Sequence, residues 1–230
     1  MAAHTIIVDL FGIPACGKTS LAEYISEHYG REIKIATIHQ LVKEAKRNKF
    51  ALFTSNPIKH IFAAMILRLN VPFEKKRKDV FFWGWPSHDK YYSYAKKYSD
   101  YNLILVDHGD IQSIVTLERG DDLHKNENFV KLCSNYLSTS SADVYVYCKV
   151  DIMEAFKRMN IRNRGKGRID MLKDPASQIK ALEEEKNRFD FLAELLRKDG
   201  HELLEIDMSD NTKKIAERFL LYLKNKLIQA

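Results

Sequence analysis

Two glycines, a lysine and a hydroxyl residue set the chemistry of this chain. Gly12-Ile13-Pro14-Ala15-Cys16-Gly17-Lys18-Thr19, with Ser20 behind it, matches the spacing G-x-x-x-x-G-K-[ST] in full. Gly12 permits a tight turn after the apolar run that precedes it. Gly17 lets backbone amides come close to a phosphate. A helix opening near Lys18 would aim its unsatisfied N–H groups and the positive end of its dipole at the anion. Lys18 would neutralise β- and γ-phosphates, and the Thr19 hydroxyl would ligate Mg²⁺. The ligand implied is a nucleoside triphosphate, taken as ATP, with Mg²⁺.

A carboxylate is expected on the other side of that metal. The apolar run Leu103-Ile104-Leu105-Val106 ends in Asp107. In an open parallel sheet, ligands bind outside the carboxyl ends of the strands. Asp107 would there face the phosphate loop and join Thr19 on Mg²⁺; it would equally serve to cap a following helix. His108 and Gln112 lie on the same segment and are candidates to touch a phosphate acceptor. Downstream, Arg158, Arg162, Arg164, Lys166 and Arg168 put five cations within eleven residues, with Gly165 and Gly167 between them. Such a segment repels itself until an anion arrives. It can then close over a triphosphate and neutralise charge on the transferring phosphoryl group. A solvated basic helix end is the plainer reading of the same residues.

Asp9 interrupts the apolar run Thr5–Phe11 three residues before Gly12. An unpaired charge there would be costly. It is therefore an acceptor contact, or a partner to an arginine, the backbone or a helix cap. Arg68, at the end of a helix that Pro57 opens, could reach an anionic acceptor or compensate a helix dipole. Trp83, within Phe81-Phe82-Trp83-Gly84-Trp85-Pro86, could stack on a base or sugar, or plug the sheet edge. Tyr91, Tyr94, Tyr98 and Tyr101 recur at helical spacing, the mark of packing. Cys16 sits inside the phosphate loop, where alkylation is expected to block nucleotide binding.

These residues need a scaffold, and its elements alternate. Strands are expected over Thr5–Phe11, Glu32–Ile38, Leu103–Val106, Val144–Val150 and Glu202–Ile206. Between them read helices over Thr19–Tyr29, closed by Gly30, and over Gln40–Asn48, Pro57–Leu69, Asn126–Leu137 and Asp151–Arg162. A long one from Asp174-Pro175 to Gly200 and a last one over Asn211–Leu227 follow. The region Val71–Asp100 is irregular. Five strands separated by helices give an α/β fold: a doubly wound five-stranded parallel sheet with helices on both faces, carrying a mobile Arg-rich lid. One domain over residues 1–230 is expected, with the lid over about 158–172 and an acceptor-side insertion over about 50–101.

The balance of 37 Lys+Arg against 31 Asp+Glu in 230 residues leaves a net charge of +6. That suits an anionic ligand and is too small to call for nucleic acid. No apolar run approaches a membrane span; Ile61–Leu67 is short and ends at Arg68. Three cysteines without metal spacing, and no visible secretory leader, point to the cytoplasm.

The strand, loop and helix around Gly12–Ser20 resemble those of the P-loop nucleotide-binding proteins. Asp107-His108-Gly109-Asp110-Ile111-Gln112-Ser113 resembles the Asp-Arg-x or Glu-Arg-Ser segment of thymidylate and deoxynucleoside kinases, with His108 where those carry arginine. Arg158-x-x-x-Arg162-x-Arg164 looks like their lid arginines, and the turn Leu204–Thr212 like the one that packs near their adenine. The resemblance implies a kinase that uses ATP and Mg²⁺, acts on a small-molecule acceptor, can pair as a homodimer, and does not engage a membrane. In that group a glutamate ends the second strand as general base. Here Ile38 is followed by His39 and Gln40, with no carboxylate until Glu44; Asp9 is the substitute candidate for the base, and His39 is an acceptor-side candidate. A nucleoside or nucleotide is the implied acceptor; a non-nucleotide small molecule, or an ATP-binding regulatory module, are the alternatives.

Overall fold

β-Branched and apolar runs become strands wherever both faces are to be covered, because only continuous apolar sequence tolerates burial on two sides. The structure, a computed structural model, describes residues 5–48, 50–51, 58–70, 89–117, 125–162, 169–172 and 174–229. Its strands are β1 (Ile6–Phe11), β2 (Ile35–Thr37), β3 (Leu103–Val106), β4 (Val144–Lys149) and β5 (Leu203–Asp207). They form one sheet in the order β2-β3-β1-β4-β5, every pairing parallel. β1 is central and wholly buried. The chain leaves it toward β2 and β3 on one side and reaches β4 and β5 on the other. The topological switch therefore falls at the carboxyl end of β1, where the phosphate loop begins.

The helices are α1 (Lys18–Ile33), α2 (Ile38–Ala45), α3 (Ile58–Leu69), α4 (Asp89–Tyr98), α5 (Asp110–Leu117), α6 (Glu127–Ser138), α7 (Ile152–Arg162), α8 (Pro175–Lys198) and α9 (Thr212–Gln229). Alternate strand residues feed two cores. Val8, Leu10, Leu103 and Leu105 pack with α1, α5, α6, α8 and α9. Ile7, Ile104 and Val106 pack with Leu41 of α2 and Tyr92, Tyr94 and Ala95 of α4.

Local signals place most boundaries. Asp174 accepts from the Ser177 amide at 2.8 Å with Pro175 at the first helical position, and Gly200 follows α8 at φ 78°. Asp151 caps α7 through the Met153 and Glu154 amides at 2.8 and 3.2 Å. The spacing of Asp151 and Glu154 would suit a reciprocal capping box, but the Glu154 carboxylate accepts from Arg158 at 2.8 Å.

Three boundaries differ from expectation. α1 runs through Gly30 to Ile33 and stops at Lys34, which turns left-handed at φ 50° and donates its N–H to the Gly30 carbonyl. β2 is accordingly three residues long. α4 lies inside the stretch expected to be irregular; its tyrosine spacing was the helical signal, and Tyr92 and Tyr94 are buried. The segment Asp107–Gln112 runs from just past β3 into the first turn of a helix, α5, that has no counterpart among the expected elements.

Of the expected lid, Arg158, Arg162 and residues 169–172 are described, while Arg164, Lys166 and Arg168 lie outside the described residues. So do Trp83 and the side chain of Arg68 in the acceptor-side insertion. Among the described residues no helix is long and apolar enough to cross a membrane.

Candidate active site

The phosphate loop is built on backbone that only particular residues accept. Gly12 sits at φ 146°, and a Cβ there would lie 2.4 Å from the Cys148 carbonyl oxygen at the end of β4. Gly17, at φ 109°, is the N-cap of α1 with no side-chain cap. The first amides of α1 are left for an incoming acceptor. Ala15 also takes positive φ, at 61°. Lys18 is buried, and its ammonium donates to the carbonyls of Gly12 at 2.8 Å and Ile13 at 3.2 Å, with Cys16 Sγ at 3.3 Å. The charge is thus held over the loop's centre. Cys16 is fully buried beneath it, so the thiol is not presented to an alkylating reagent.

Thr19 and Asp107 meet. The Thr19 hydroxyl donates to Asp107 Oδ2 at 2.6 Å across 88 residues of sequence. Asp107 is buried while Thr19 opens to solvent. A hydroxyl and a carboxylate are hard oxygen donors, the set Mg²⁺ takes when it keeps water and phosphate oxygens for its other positions. Among the described residues no cluster of three His, Cys, Asp or Glu forms a cage of its own. The pair therefore fits Mg²⁺ brought in with phosphate and does not fit a metal bound by protein alone.

Arg158 braces three elements. Its Nε donates to Glu154, Nη1 to the Cys16 carbonyl at 3.3 Å, and Nη2 to the Met208 carbonyl at 3.0 Å. It joins α7 to the phosphate loop and to the turn after β5. Arg162, one turn on, is more open and lies 4.0 Å from Asp170. Both arginines line a cavity of about 590 Å³ with the loop, Thr19 and Ser20. Met208, Asp210, Thr212 and Ile215 also line the cavity, as do His108 and Gln112.

The remaining candidates separate. His108 reaches solvent through the cavity; the surrounding protein, with Lys18 and His39 nearby, pushes its imidazole below the ordinary histidine range against the pull of Asp107. His39 is exposed at the start of α2. Asp9 is fully buried and is not on the cavity wall. Its Oδ2 accepts from the Asp110 amide at 2.8 Å. Burial, then the neighbouring Asp110 charge, raises its pKa to about 8, against the lowering effect of the Asp110 and Ile111 amides.

Two participants had weaker signals. Met208 touches both Arg158 and the space beside Gly17, where a Cβ would meet its Cε at 3.2 Å. Only its place just past the last strand marked it. Asp110, fully buried, accepts from Tyr136 Oη at 2.8 Å and Ser140 Oγ at 2.5 Å. An aspartate three residues after Asp107, where a helix starts, was its only trace.

Comparison with solved structures gives the fold a relative. Deoxyadenosine kinase from M. mycoides with bound dCTP aligns over 96% of this chain and 100% of its own, at 15% identity and a TM-score of 0.52. The chain has a P-loop deoxynucleoside-kinase-like fold. The same kinase with bound dATP aligns over 95% and 99% of the two chains, at 16% identity and a TM-score of 0.51. Its complex with the product dCMP and a flexible dCDP aligns over 96% and 100%, at 14% and 0.51. No protein-family profile and no curated protein matches the sequence. At these identities the likeness is one of fold.

Proposed function

We propose that this protein is an ATP-dependent phosphotransferase that moves the γ-phosphate to a small acceptor, a nucleoside or nucleotide. The observation that carries the reading is the 2.6 Å contact between Asp107 and Thr19, whose side chain lines the cavity with the phosphate loop, Arg158 and Arg162. A loop that only cradled phosphate would have no need of a strand-end carboxylate aimed at its hydroxyl. The fold shared with a deoxyadenosine kinase supports the same reading.

In this reading the amides of Gly12–Ser20 and the Lys18 ammonium hold the β- and γ-phosphates. Thr19 and Asp107 hold Mg²⁺, which when bound neutralises charge between the phosphate oxygens. Arg162, steadied beside Arg158 and joined by Arg164, meets the charge that develops on the transferring group. Met208, Thr212 and Ile215 receive the purine. His108 and Gln112 orient the accepting hydroxyl, with His39, Arg68 and Trp83 on the acceptor side. The whole of 1–230 acts as one domain in the cytoplasm, where its three free cysteines stay reduced.

One observation favours a second reading. The described acceptor end offers an imidazole and an amide, groups suited to hydroxyls in general. A non-nucleotide small molecule would be received there as well. Both readings are tested by incubating the protein with γ-labelled ATP and a panel of nucleosides, nucleotides and sugars, with Lys18→Ala as control. Label transfer to a nucleoside or nucleotide by the parent alone supports the first reading, and transfer to a sugar alone the second. Tight ATP binding with no transfer to any compound turns the assignment to a regulatory module. Equal transfer by Lys18→Ala overturns the site.

A further inference from the structure

Behind the cavity lie two carboxyl groups that the transfer chemistry does not use. Asp9 stands on β1 opposite Val106 of β3 and Tyr145 of β4, in the middle of the sheet. It shares the strand face of Ile7, which belongs to the smaller core. Its Oδ2 accepts from the Asp110 amide at 2.8 Å, with the Ile111 amide beside it. These are the first amides of α5, the donors a helix leaves without intrahelical partners. Asp9 thus caps α5 from a different strand, 101 residues earlier in the chain. Gly109 closes the fit: a Cβ on it would lie 2.2 Å from Asp9 Oδ2 and 2.4 Å from Oδ1. The carboxyl group fills the space a side chain would take.

Asp110 grips the same helix start from the other side. Its carboxylate accepts from Tyr136 and Ser140 and lies 3.9 Å from His60 Nε2 on α3. Both carboxyls are fully buried, and among the described residues no lysine or arginine pairs with either. Asp9 Oδ1 has no hydrogen-bond partner among the described residues. A buried acid kept at this cost in a strand needs a use. The turn Asp107-His108-Gly109 links the two: its last residue packs against the Asp9 carboxyl and its first meets Thr19.

We propose that Asp9 is a positioning residue for the metal-side carboxylate: by capping α5 and seating Gly109 it fixes the turn that delivers Asp107 to Thr19. The inference rests on the reading of Thr19 and Asp107 as the Mg²⁺ side of an ATP site. Groups that position metal ligands from behind typically account for about 10–100-fold in metal affinity or activity.

Two readouts test it. The first is ATP affinity by equilibrium dialysis, with Mg²⁺ and with EDTA; the ratio measures what the metal side contributes. The second is hydrogen–deuterium exchange of the peptide spanning 103–117 without nucleotide. Asp9→Ala is expected to lower the Mg²⁺ enhancement about tenfold, to leave affinity in EDTA within about twofold, and to speed exchange at the start of α5. Asp9→Asn, which keeps an acceptor oxygen for the Asp110 amide, is expected to stay within about threefold of the parent in both. Should Asp9→Ala not fold, Gly109→Ala carries the test, since its methyl group would push the turn off its cap without altering any charge. A parent-like Mg²⁺ enhancement in the folded Asp9→Ala or Gly109→Ala protein overturns the proposal. Absence of any Mg²⁺ enhancement in the parent overturns the reading of the site instead, whatever the exchange result.

Discussion

Asp107, just past β3, and Asp9, on the neighbouring β1, serve one short turn, yet their surroundings differ. Asp107 accepts a hydrogen bond from the hydroxyl of Thr19, which lines the cavity. Asp9 accepts from a backbone amide and is sealed from water. The first group is placed where charge can be met by metal and phosphate. The second is placed where charge has nothing to meet, and burial holds it protonated to about pH 8. The phosphate side of the site and the packing behind it are therefore separable by substitution.

The largest effect is expected on the phosphate side. Lys18→Ala removes the ammonium held over the loop by the Gly12 and Ile13 carbonyls. ATP affinity, measured by equilibrium dialysis, should fall at least about a hundredfold with little change in melting temperature. A variant that loses stability but keeps ATP affinity would place Lys18 with the scaffold and dissolve the contrast.

Next comes the backbone that shapes the loop. Gly12→Ala combines a φ of 146° with a methyl group 2.4 Å from the Cys148 carbonyl. Strain of this kind costs about 1–3 kcal/mol, and relief by shifting β4 against the loop would misalign the amides. Both the denaturant midpoint and ATP affinity should drop together. An unchanged midpoint would mean that the loop yields freely and is not set by β4.

Arg158 ties α7 to the phosphate loop and to the turn after β5. Arg158→Lys keeps the charge and loses the fork that reaches Glu154, Cys16 and Met208 at once. About a tenfold rise in the ATP concentration for half-maximal binding is expected, less than for Lys18; in Arg158→Ala, whose truncation leaves the space open, added guanidinium should recover part of the loss. Equal loss in Arg158→Lys and Arg158→Ala would identify the fork, and not the charge, as what matters.

How much of this was readable beforehand follows the same divide. The loop, its preceding strand and its following helix are contiguous, so their geometry is encoded within twenty residues. Asp107 was legible because an apolar run ends in it. Asp9 announced itself as out of place, but its partner is an amide 101 residues on, and no local pattern carries that distance. Lys34 shows the reverse failure. Gly30 has the conformational freedom to stop α1, yet the chain stops four residues later on a lysine, because packing of the helix onto the sheet outweighs a local preference. α4 was hidden in a segment whose aromatic content suggested a ligand, though its spacing already said helix.

The smallest effect on activity, and the sharpest on mechanism, belongs to Asp9→Asn. Asp9 is protonated up to about pH 8 in the folded protein and ionises in the ordinary carboxylate range when the chain unfolds. Between those limits the folded state binds the extra proton, so the stability it contributes is complete in acid and drains away as pH rises toward 8. The titratable neighbours are Asp110 on α5, Asp107 past β3 and Tyr92 on α4, with Tyr136 on α6 and His60 on α3 behind Asp110. None supplies a lysine or arginine to reverse the sign. An asparagine has no proton to lose. The melting temperature of the parent should therefore fall relative to Asp9→Asn from about pH 4 to about pH 8, and the two curves should run parallel above that. Parallel parent and Asp9→Asn curves across the whole range would mean that Asp9 is ionised in the fold.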